Sequence, residues 1–393
     1  MPTFRNRGAL VLSLVTLVAP ARADGLAVDP ADPRLQARPD LRALLVASPH
    51  GYFRFINAAF AREACALFAD VRASLPDVNL HGDAHVEQYA VTSLGRGLTD
   101  FDDCTNGAPV IDLVRFGVSL ALTAREKGWA DEERRFLDEF LRGYRAALRD
   151  PHLLLPMPQL ATRARDRFAW DHAAALREAE TLMDADPRPV EGFREAVGRF
   201  AALIRARRPG FTEEFFLLKR AGGLSLGVGS ALDEKYLWRL EGPTPSPEDD
   251  VVVEAKQIRD LPENPCARQE VGASRVLDGH QLIAYEPFPF AAVVPYGGKH
   301  FWVHDWTDDY REASITDVIL TPRDLRELAY DAGVQLGRAH PKGPDGQASS
   351  TRRREVLKAC QRIEPRLRSA IVDLAARTEA AWRAFRAAGS GQG

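Results

Sequence analysis

The hydrophobic period of this chain changes twice, and those two changes constrain its fold more than any other feature. Before residue 207 the apolar residues fall at helical spacing. Phe53, Ile56, Phe60, Ala64 and Leu67 lie near one face of a stretch within 41–75. Further helical stretches cover 110–149, with a turn near Gly128, and 160–207, broken at Pro187 and Pro189. At residue 214 the pattern shifts. Segments 215–219, 235–241, 250–257, 282–286, 290–295 and 300–306, rich in Val, Phe, Tyr and Trp, read as strands. The Pro/Glu/Asp stretch 243–250 reads as a hairpin loop. Helices return over 322–340 and 352–388. Strands segregated from helices predict an α+β fold rather than an alternating α/β one. The expected parts are a helical part at 24–213, opening on an extended lead-in at 24–40, a β-rich part at 214–310, C-terminal helices at 311–388 and a disordered tail at 389–393.

With 45% hydrophobic and 27% charged residues, the 393-residue chain is of ordinary globular composition. Lys+Arg 52 against Asp+Glu 55 gives a net charge of −3, so no basic excess calls for a nucleic-acid partner. Cys65, Cys104, Cys266 and Cys360 form no CxxC pair, and four scattered cysteines are too few for a disulfide framework. They leave the pairing and the oligomeric state open.

The first residues predict targeting rather than structure. Arg5 and Arg7 form a positive start, Ala9–Pro20 an apolar run too short to span a bilayer, and Ala21-Arg22-Ala23 a cleavage site. The expectation is a signal peptide over 1–23, cut after Ala23. Export to the periplasm would follow, with no membrane segment left in the mature chain.

Two loops carry the first chemical constellation. Val78-Asn79-Leu80 reads as a short strand leading into His81-Gly82-Asp83-Ala84-His85. Leu98-Thr99-Asp100-Phe101-Asp102-Asp103 follows after a hairpin. Separated carboxylates such as Asp83 and Asp100 suit phosphoryl transfer, where one deprotonates a hydroxyl and the other holds Mg2+ against phosphates. Turn aspartates that only cap backbone amides are the plainer alternative.

HGDAHVEQ followed by TDFDD resembles the HGDxHxxN catalytic loop and the metal-binding segment of aminoglycoside phosphotransferases and choline kinases. Ala108-Pro109-Val110-Ile111-Asp112-Leu113-Val114-Arg115 is similar to the helix start that follows in those proteins. More closely, the chain resembles bacterial domain-of-unknown-function family 2252. Ser48-Pro49-His50-Gly51-Tyr52-Phe53-Arg54, the HGDAHVEQYA and TDFDD stretches, Gly227-Val228-Gly229-Ser230, Val253-Glu254-Ala255-Lys256 and Arg275–Leu282 match its motifs in order across roughly residues 40–342. The resemblance implies catalytic roles for Asp83, His81 and His85, and metal ligation by Asp100, Asp102 and Gln88. Gln88 stands where the pattern has Asn, which displaces the amide oxygen by a methylene.

The second constellation, Gly222 to Ser230, is a Gly-rich turn between strands, able to bring N–H groups to phosphate oxygens. Lys256 follows within an apolar strand, where an unpartnered ammonium is costly. By kinase resemblance, Gly227, Gly229, Ser230 and Lys256 would hold the phosphates of ATP or another phosphorylated ligand, and Glu270 would pair with Lys256. Leu232 replaces the third Gly of the family's turn. The turn and lysine follow the catalytic loop here, whereas in ordinary kinases they precede it. The helix at 322–340, similar to the one that leads into HGDxHxxN, lies near the C-terminus. The expectation is therefore a kinase-like two-lobe fold with permuted segments.

Two other functions share these residues. His81, Asp83, His85, Asp100 and Asp102 could bind a metal that activates water in a phosphoesterase or other hydrolase. The same fold could also serve as a catalytically inactive ligand-binding module. Trp302, His304, Asp305 and Trp306 read as an edge strand with packed aromatics, Arg352-Arg353-Arg354 as a solvated helix face, and Arg54 as either an anion contact or a structural ion pair.

Overall fold

The structure is a computed structural model and describes residues 25–228, 232–268 and 272–390. The predicted signal peptide, Gly229, Ser230 and Glu270 lie outside those residues.

The chain opens with four short helices, α1 (Pro33–Gln36), α2 (Pro39–Ala47), α3 (Pro49–Phe55) and α4 (Asn57–Ala66). Residues 24–40 are therefore not simply extended. Pro33 and Pro39 each start a helix, where the missing N–H costs nothing, and the Asp32 side chain caps α1. Four short strands follow: β1 (Val78–Leu80), β2 (Tyr89–Thr92), β3 (Arg96–Leu98) and β4 (Thr105–Gly107). Helices α5 (Val110–Glu126), α6 (Glu133–Arg149), α7 (Gln159–Arg165), α8 (His172–Ala185) and α9 (Arg194–Arg207) complete the first half. The strand block contains β5 (Leu218–Gly223), β6 (Lys235–Leu240) and β7 (Val251–Ile258). It continues through α10 (Ser274–Ile283) to β8 (Ala291–Tyr296) and β9 (Lys299–Asp305). The chain closes with β10 (Tyr310–Glu312), α11 (Pro322–Ala339) and α12 (Ser350–Ser390). The α+β assignment holds, and every strand pairing within the three sheets is antiparallel.

Three strand expectations fail in whole or part. Segment 215–219 is mostly a 3-10 turn, Glu214–Phe216, and β5 begins only at Leu218. Segment 282–286 is the end of α10 and the turn after it, because Val276, Gly279, His280 and Ile283 bury one helical face. Strand β9 is not an edge. The five-stranded sheet runs β5-β6-β7-β9-β8, so Trp302 sits between two paired neighbours.

Alternation across this sheet decides what faces the cleft. Trp238, Val253, Ala255, Phe301 and Val303 pack on α9, while Leu237 and Val252 pack on α8 from the opposite side. Lys256, next to Ala255, belongs to the second face by the period of two. A larger core joins α2–α6, α11 and α12. Helices α6 and α11 approach through glycine. A Cβ at Gly143 would lie 2.2 Å from the Tyr330 carbonyl oxygen, and one at Gly333 2.2 Å from that of Phe140. Cys65 on α4 and Cys266, 201 residues apart in sequence, form a disulfide, a link that cysteine spacing did not indicate.

Candidate active site

The HGDAH loop is held from behind by a buried carboxylate. The chain leaves β1 and turns at Gly82, whose φ is +81°, and a Cβ there would lie 2.0 Å from the Asp103 carbonyl oxygen. Asp112, at the start of α5, accepts the backbone N–H groups of His81 at 2.7 Å and Gly82 at 2.8 Å. His340, just beyond α11, brings Nε2 to 3.1 Å from the same carboxylate, and its Nδ1 meets the Tyr144 hydroxyl at 2.9 Å. Burial would raise the Asp112 carboxyl, but the His340 hydrogen bond and the charges of His340 and His81 hold it below its usual value.

Asp83 emerges from this loop into a buried ion pair. Arg115 Nε donates to its Oδ1 at 2.5 Å, and the Arg115 guanidinium lies 4.2 Å from the Phe53 ring centroid. Asp83 Oδ2 is left facing Gln88 Nε2 at 3.4 Å and His85 Nε2 at 3.8 Å. Burial pushes the Asp83 carboxyl up, and the Arg115 charge works against that rise.

The two histidines do not share the cleft with it. His81 Nε2 is engaged with the Thr99 carbonyl at 2.9 Å, and its ring packs on Phe101. His85 is buried beside His50, and burial drives its imidazole well below the usual value, so it stays neutral. Neither ring lines either of the cavities described below. In this arrangement both rings brace the loop, and His85 meets Asp83 only at 3.8 Å.

The acidic loop meets the sheet at Lys256. The ammonium lies 2.6 Å from Asp100 Oδ1 and 2.6 Å from Asp102 Oδ2. Asp100 holds φ at +60°, a left-handed conformation that a non-glycine residue adopts at a cost. Burial opposes ionisation of both carboxyls. Lys256 and a hydrogen bond with Asp102 bring Asp100 well below its usual value, while the charge of Asp100 adds to burial and drives Asp102 well above. The two carboxyls are thus pushed apart beside the ammonium, Asp100 toward its ionised form and Asp102 toward its protonated one. The two carboxylates raise Lys256 despite its burial. Gln88 turns its Nε2 toward Asp83 and, at 3.3 Å, toward Asp100, so its donor end faces the carboxylates. The partner expected for Lys256 was Glu270. The partners among the described residues are Asp100 and Asp102.

Arg259 and Arg275 fix the rest of the acidic turn. Arg259 binds Asp103 at 2.7 Å, and Asn57 donates to the same carboxylate at 2.9 Å. Arg275, from α10, donates to the carbonyls of Asp102 and Cys104. Among the described residues, no group of three or more His, Cys, Asp or Glu side chains is disposed to hold a metal by itself.

These parts surround a cavity of about 510 Å³ between the sheet and the loops. Gln88, Asp100, Gly227, Lys235, Lys256, Trp302 and Arg54 line it. It lies beside a small chamber of about 20 Å³ walled by Asp83, Asp100, Asp102, Asp103, Gly227 and Arg259. Gly227 reaches both at φ +91°. Arg54 also lines both, and it pairs with Glu87 at 3.1 Å, so it is an ion pair and a cleft residue at once.

Among known families, the model described as "Uncharacterized protein conserved in bacteria (DUF2252)" matches residues 41–185 and 158–388. The chain belongs to this family. No curated protein and no solved structure matches. In this DUF2252 chain the family match spans both halves of the site, the acidic loop and Lys256.

Several site residues of the DUF2252 chain were missed by sequence reasoning. Asp112 and Arg115 lay within a quoted stretch without an assigned role. The available signal was a pair of charges three apart on one helix face, inside the apolar run from Val110 to Ala124. Asp103 lay within the acidic loop without a role of its own, and Arg259 and His340 gave no such local signal. Lys235 faces Lys256 across the β6–β7 ladder, and its ammonium is held by the Leu226 carbonyl. Arg352, expected on a solvated face, reaches both Glu355 and the Asp77 carbonyl.

Proposed function

We propose that this cleft binds a Mg2+-complexed nucleotide or another phosphorylated ligand and transfers its phosphoryl group to an acceptor hydroxyl, in the manner of a kinase with permuted segments. The observation that carries the reading is the meeting of Lys256 with Asp100 and Asp102 at 2.6 Å, beside the Gly227 turn and Asp83. A lysine on the third strand of the sheet, with a Gly-rich turn between the first two and an acidic loop facing it, is the arrangement that phosphoryl transfer uses.

The donor set suits Mg2+. Asp102 Oδ1 is buried without a hydrogen-bond partner, and a cation beside it would offset the burial and the Asp100 charge that disfavour its ionised form. Mg2+ is held by one or two carboxylates together with substrate phosphates and water, so it needs no all-protein cage. When bound, it neutralises charge on the phosphate oxygens. Lys256 and the backbone at Gly227 then hold phosphate. Arg54 faces the same space as a second cation. Arg115 fixes Oδ1 of Asp83 and leaves Oδ2 to take the acceptor's proton.

The join between α11 and β1 supports the permutation. Asn79 Nδ2 donates to the carbonyls of Ala339 at 2.9 Å and Lys342 at 2.8 Å, so the end of α11 lies against the strand that enters the HGDAH loop. Contiguous segments of one fold can exchange chain order when their ends are this close. The hydrolase alternative draws less support, because His81 is already engaged by the Thr99 carbonyl.

The same reading holds that the chain is exported. The residue pattern at 1–23 supports this, and so does the Cys65–Cys266 bridge, which suits an oxidising compartment. The donor there can be a phosphorylated compound other than ATP. The test is a thermal-shift series with nucleotides and sugar phosphates, with and without Mg2+. Stabilisation that needs both metal and phosphate supports the reading, and a response to neither removes it.

A further inference from the structure

Lysine stands directly opposite lysine on the sheet face that lines the main cavity. Lys235 on β6 and Lys256 on β7 are register partners in an antiparallel ladder. Both are 6% exposed, and both line the cavity of about 510 Å³. Side chains so paired stand about 4.5–5.5 Å apart at Cβ, and like charges placed there destabilise a sheet. Burial of an ammonium adds a desolvation cost of its own.

The two ammonium groups are not compensated alike. Asp100 and Asp102 hold Lys256 at 2.6 Å each. Lys235 donates to the Leu226 carbonyl, one residue before Gly227. Burial and the charge of Lys256 bring Lys235 below its usual value, and the charges of Glu254, Asp100 and Asp102 offset this only in part. Glu254, two residues before Lys256 on β7, meets His304 Nε2 at 3.4 Å. The other carboxylates of the cavity, Glu178, Asp305, Asp308, Glu312 and Asp317, come from elements other than β6 and β7. The opposed lysines therefore cost the fold stability, and an anion that spans both would offset that cost.

We infer that Lys235 is a second phosphate-binding lysine and that the ligand carries a diphosphate group, one phosphate on Lys256 and its neighbour on Lys235. The inference rests on the metal-phosphate reading of the cleft and narrows it. A monophosphate brings one anionic group to two ammonium groups. A diphosphate sets adjacent anions against adjacent cations, each with charge-assisted hydrogen bonds. Gly227 lines the same cavity next to Leu226, so its backbone stands beside the phosphate on Lys235. A nucleotide and an inorganic polyphosphate both carry this group.

The test is isothermal titration of the full protein, with Mg2+, against orthophosphate, pyrophosphate, AMP and ADP. Pyrophosphate is expected to bind at least about tenfold more tightly than orthophosphate, and ADP than AMP. Lys235→Met and Lys235→Gln, the second of which keeps a donor for the Leu226 carbonyl, should each erase both preferences and leave orthophosphate affinity near that of the parent. Neither variant should unfold at a lower temperature than the parent, because one of two opposed charges is gone. ADP tighter than pyrophosphate assigns the diphosphate to a nucleotide, and ADP no tighter assigns it to inorganic polyphosphate; both support the inference. Preferences that survive in either folded variant, or unfolding of both variants below the parent, overturn the role of Lys235. A parent that binds mono- and diphosphates alike overturns it too, while the metal-phosphate reading stands. A parent that binds none of the four at millimolar concentration overturns both.

Discussion

Lys256 and Asp100 stand 156 positions apart in the chain and meet at 2.6 Å. The contact closes the gap between the sheet and the acidic loop, and the ammonium favours the ionised form of Asp100. Without a bound cation, the lysine does for these carboxylates what a metal would do. Binding of a metal phosphate would then move the ammonium from carboxylate to phosphate.

Replacement of this lysine tests that contact. Lys256→Met leaves the buried Asp102 and the partly exposed Asp100 without their cation; breaking a fully buried pair costs about 3–5 kcal/mol, and the exposure of Asp100 brings the expected loss below that. Thermal unfolding should fall accordingly, and Mg2+ should restore more stability to the variant than to the parent chain. A variant as stable as the parent without Mg2+ contradicts the account.

Asp83 is expected to separate stability, binding and turnover. Asp83→Asn leaves Arg115 buried without its counter-charge, so it should destabilise the chain by about 3–5 kcal/mol in denaturant titration. Nucleotide affinity should remain near that of the parent, because the carboxylate acts on the acceptor. Turnover should fall by about 10²–10⁴-fold. Loss of nucleotide binding in a folded Asp83→Asn protein would place this residue on the donor instead.

What the sequence made legible here was local. The HGDAH and DFDD loops announce themselves through close-set ionisable residues, and Lys256 through its place in the apolar strand VVVEAKQI. Strands 235–241, 250–257, 290–295 and 300–306 were legible from their β-branched and aromatic residues, and they match β6, β7, β8 and β9 closely. Segment 282–286 misled because a short apolar run at a helix end looks like a strand. The supports of the site were not legible. His340 reaches Asp112 across 228 positions, and Cys65 reaches Cys266 across 201. Such partners are chosen by the fold and leave no spacing to read. Asp100 is legible by its charge, whereas nothing in its local sequence marks its left-handed backbone.

A carboxyl at the cleft wall sets an expected pH dependence. Burial lifts Asp305 from 3.8 to about 7, although its carboxylate accepts the Phe290 N–H at 2.7 Å. The native chain thus keeps a proton that the unfolded chain releases above pH 3.8. The stability from this group is whole below that pH and is lost as pH rises through about 7. Asp305→Asn should therefore gain stability over the parent at pH 8 and show no gain at pH 3.5, measured by urea unfolding at both pH values. An equal gain at both would assign the effect to packing.

The disulfide should matter for the cleft as well as for stability. Cys266 lies between Arg259 and Arg275, which hold the acidic turn, and its carbonyl accepts the Ala108 N–H at 2.8 Å. Cys65→Ser with Cys266→Ser should cost about 2–5 kcal/mol. It should also loosen that turn, seen as faster amide hydrogen exchange at residues 100–107. Slow exchange in the double variant would limit the bridge to a role away from the site.

The central claim is that Lys256, Asp100 and Asp102 form one metal-phosphate site. Isothermal titration of a non-hydrolysable nucleotide with Mg2+ tests it most directly, on the parent chain and on the Lys256→Met and Asp100→Asn variants. The account predicts Mg2+-dependent binding by the parent and at least about tenfold weaker binding by both folded variants. Binding that persists unchanged in both variants, or that ignores Mg2+, would contradict it.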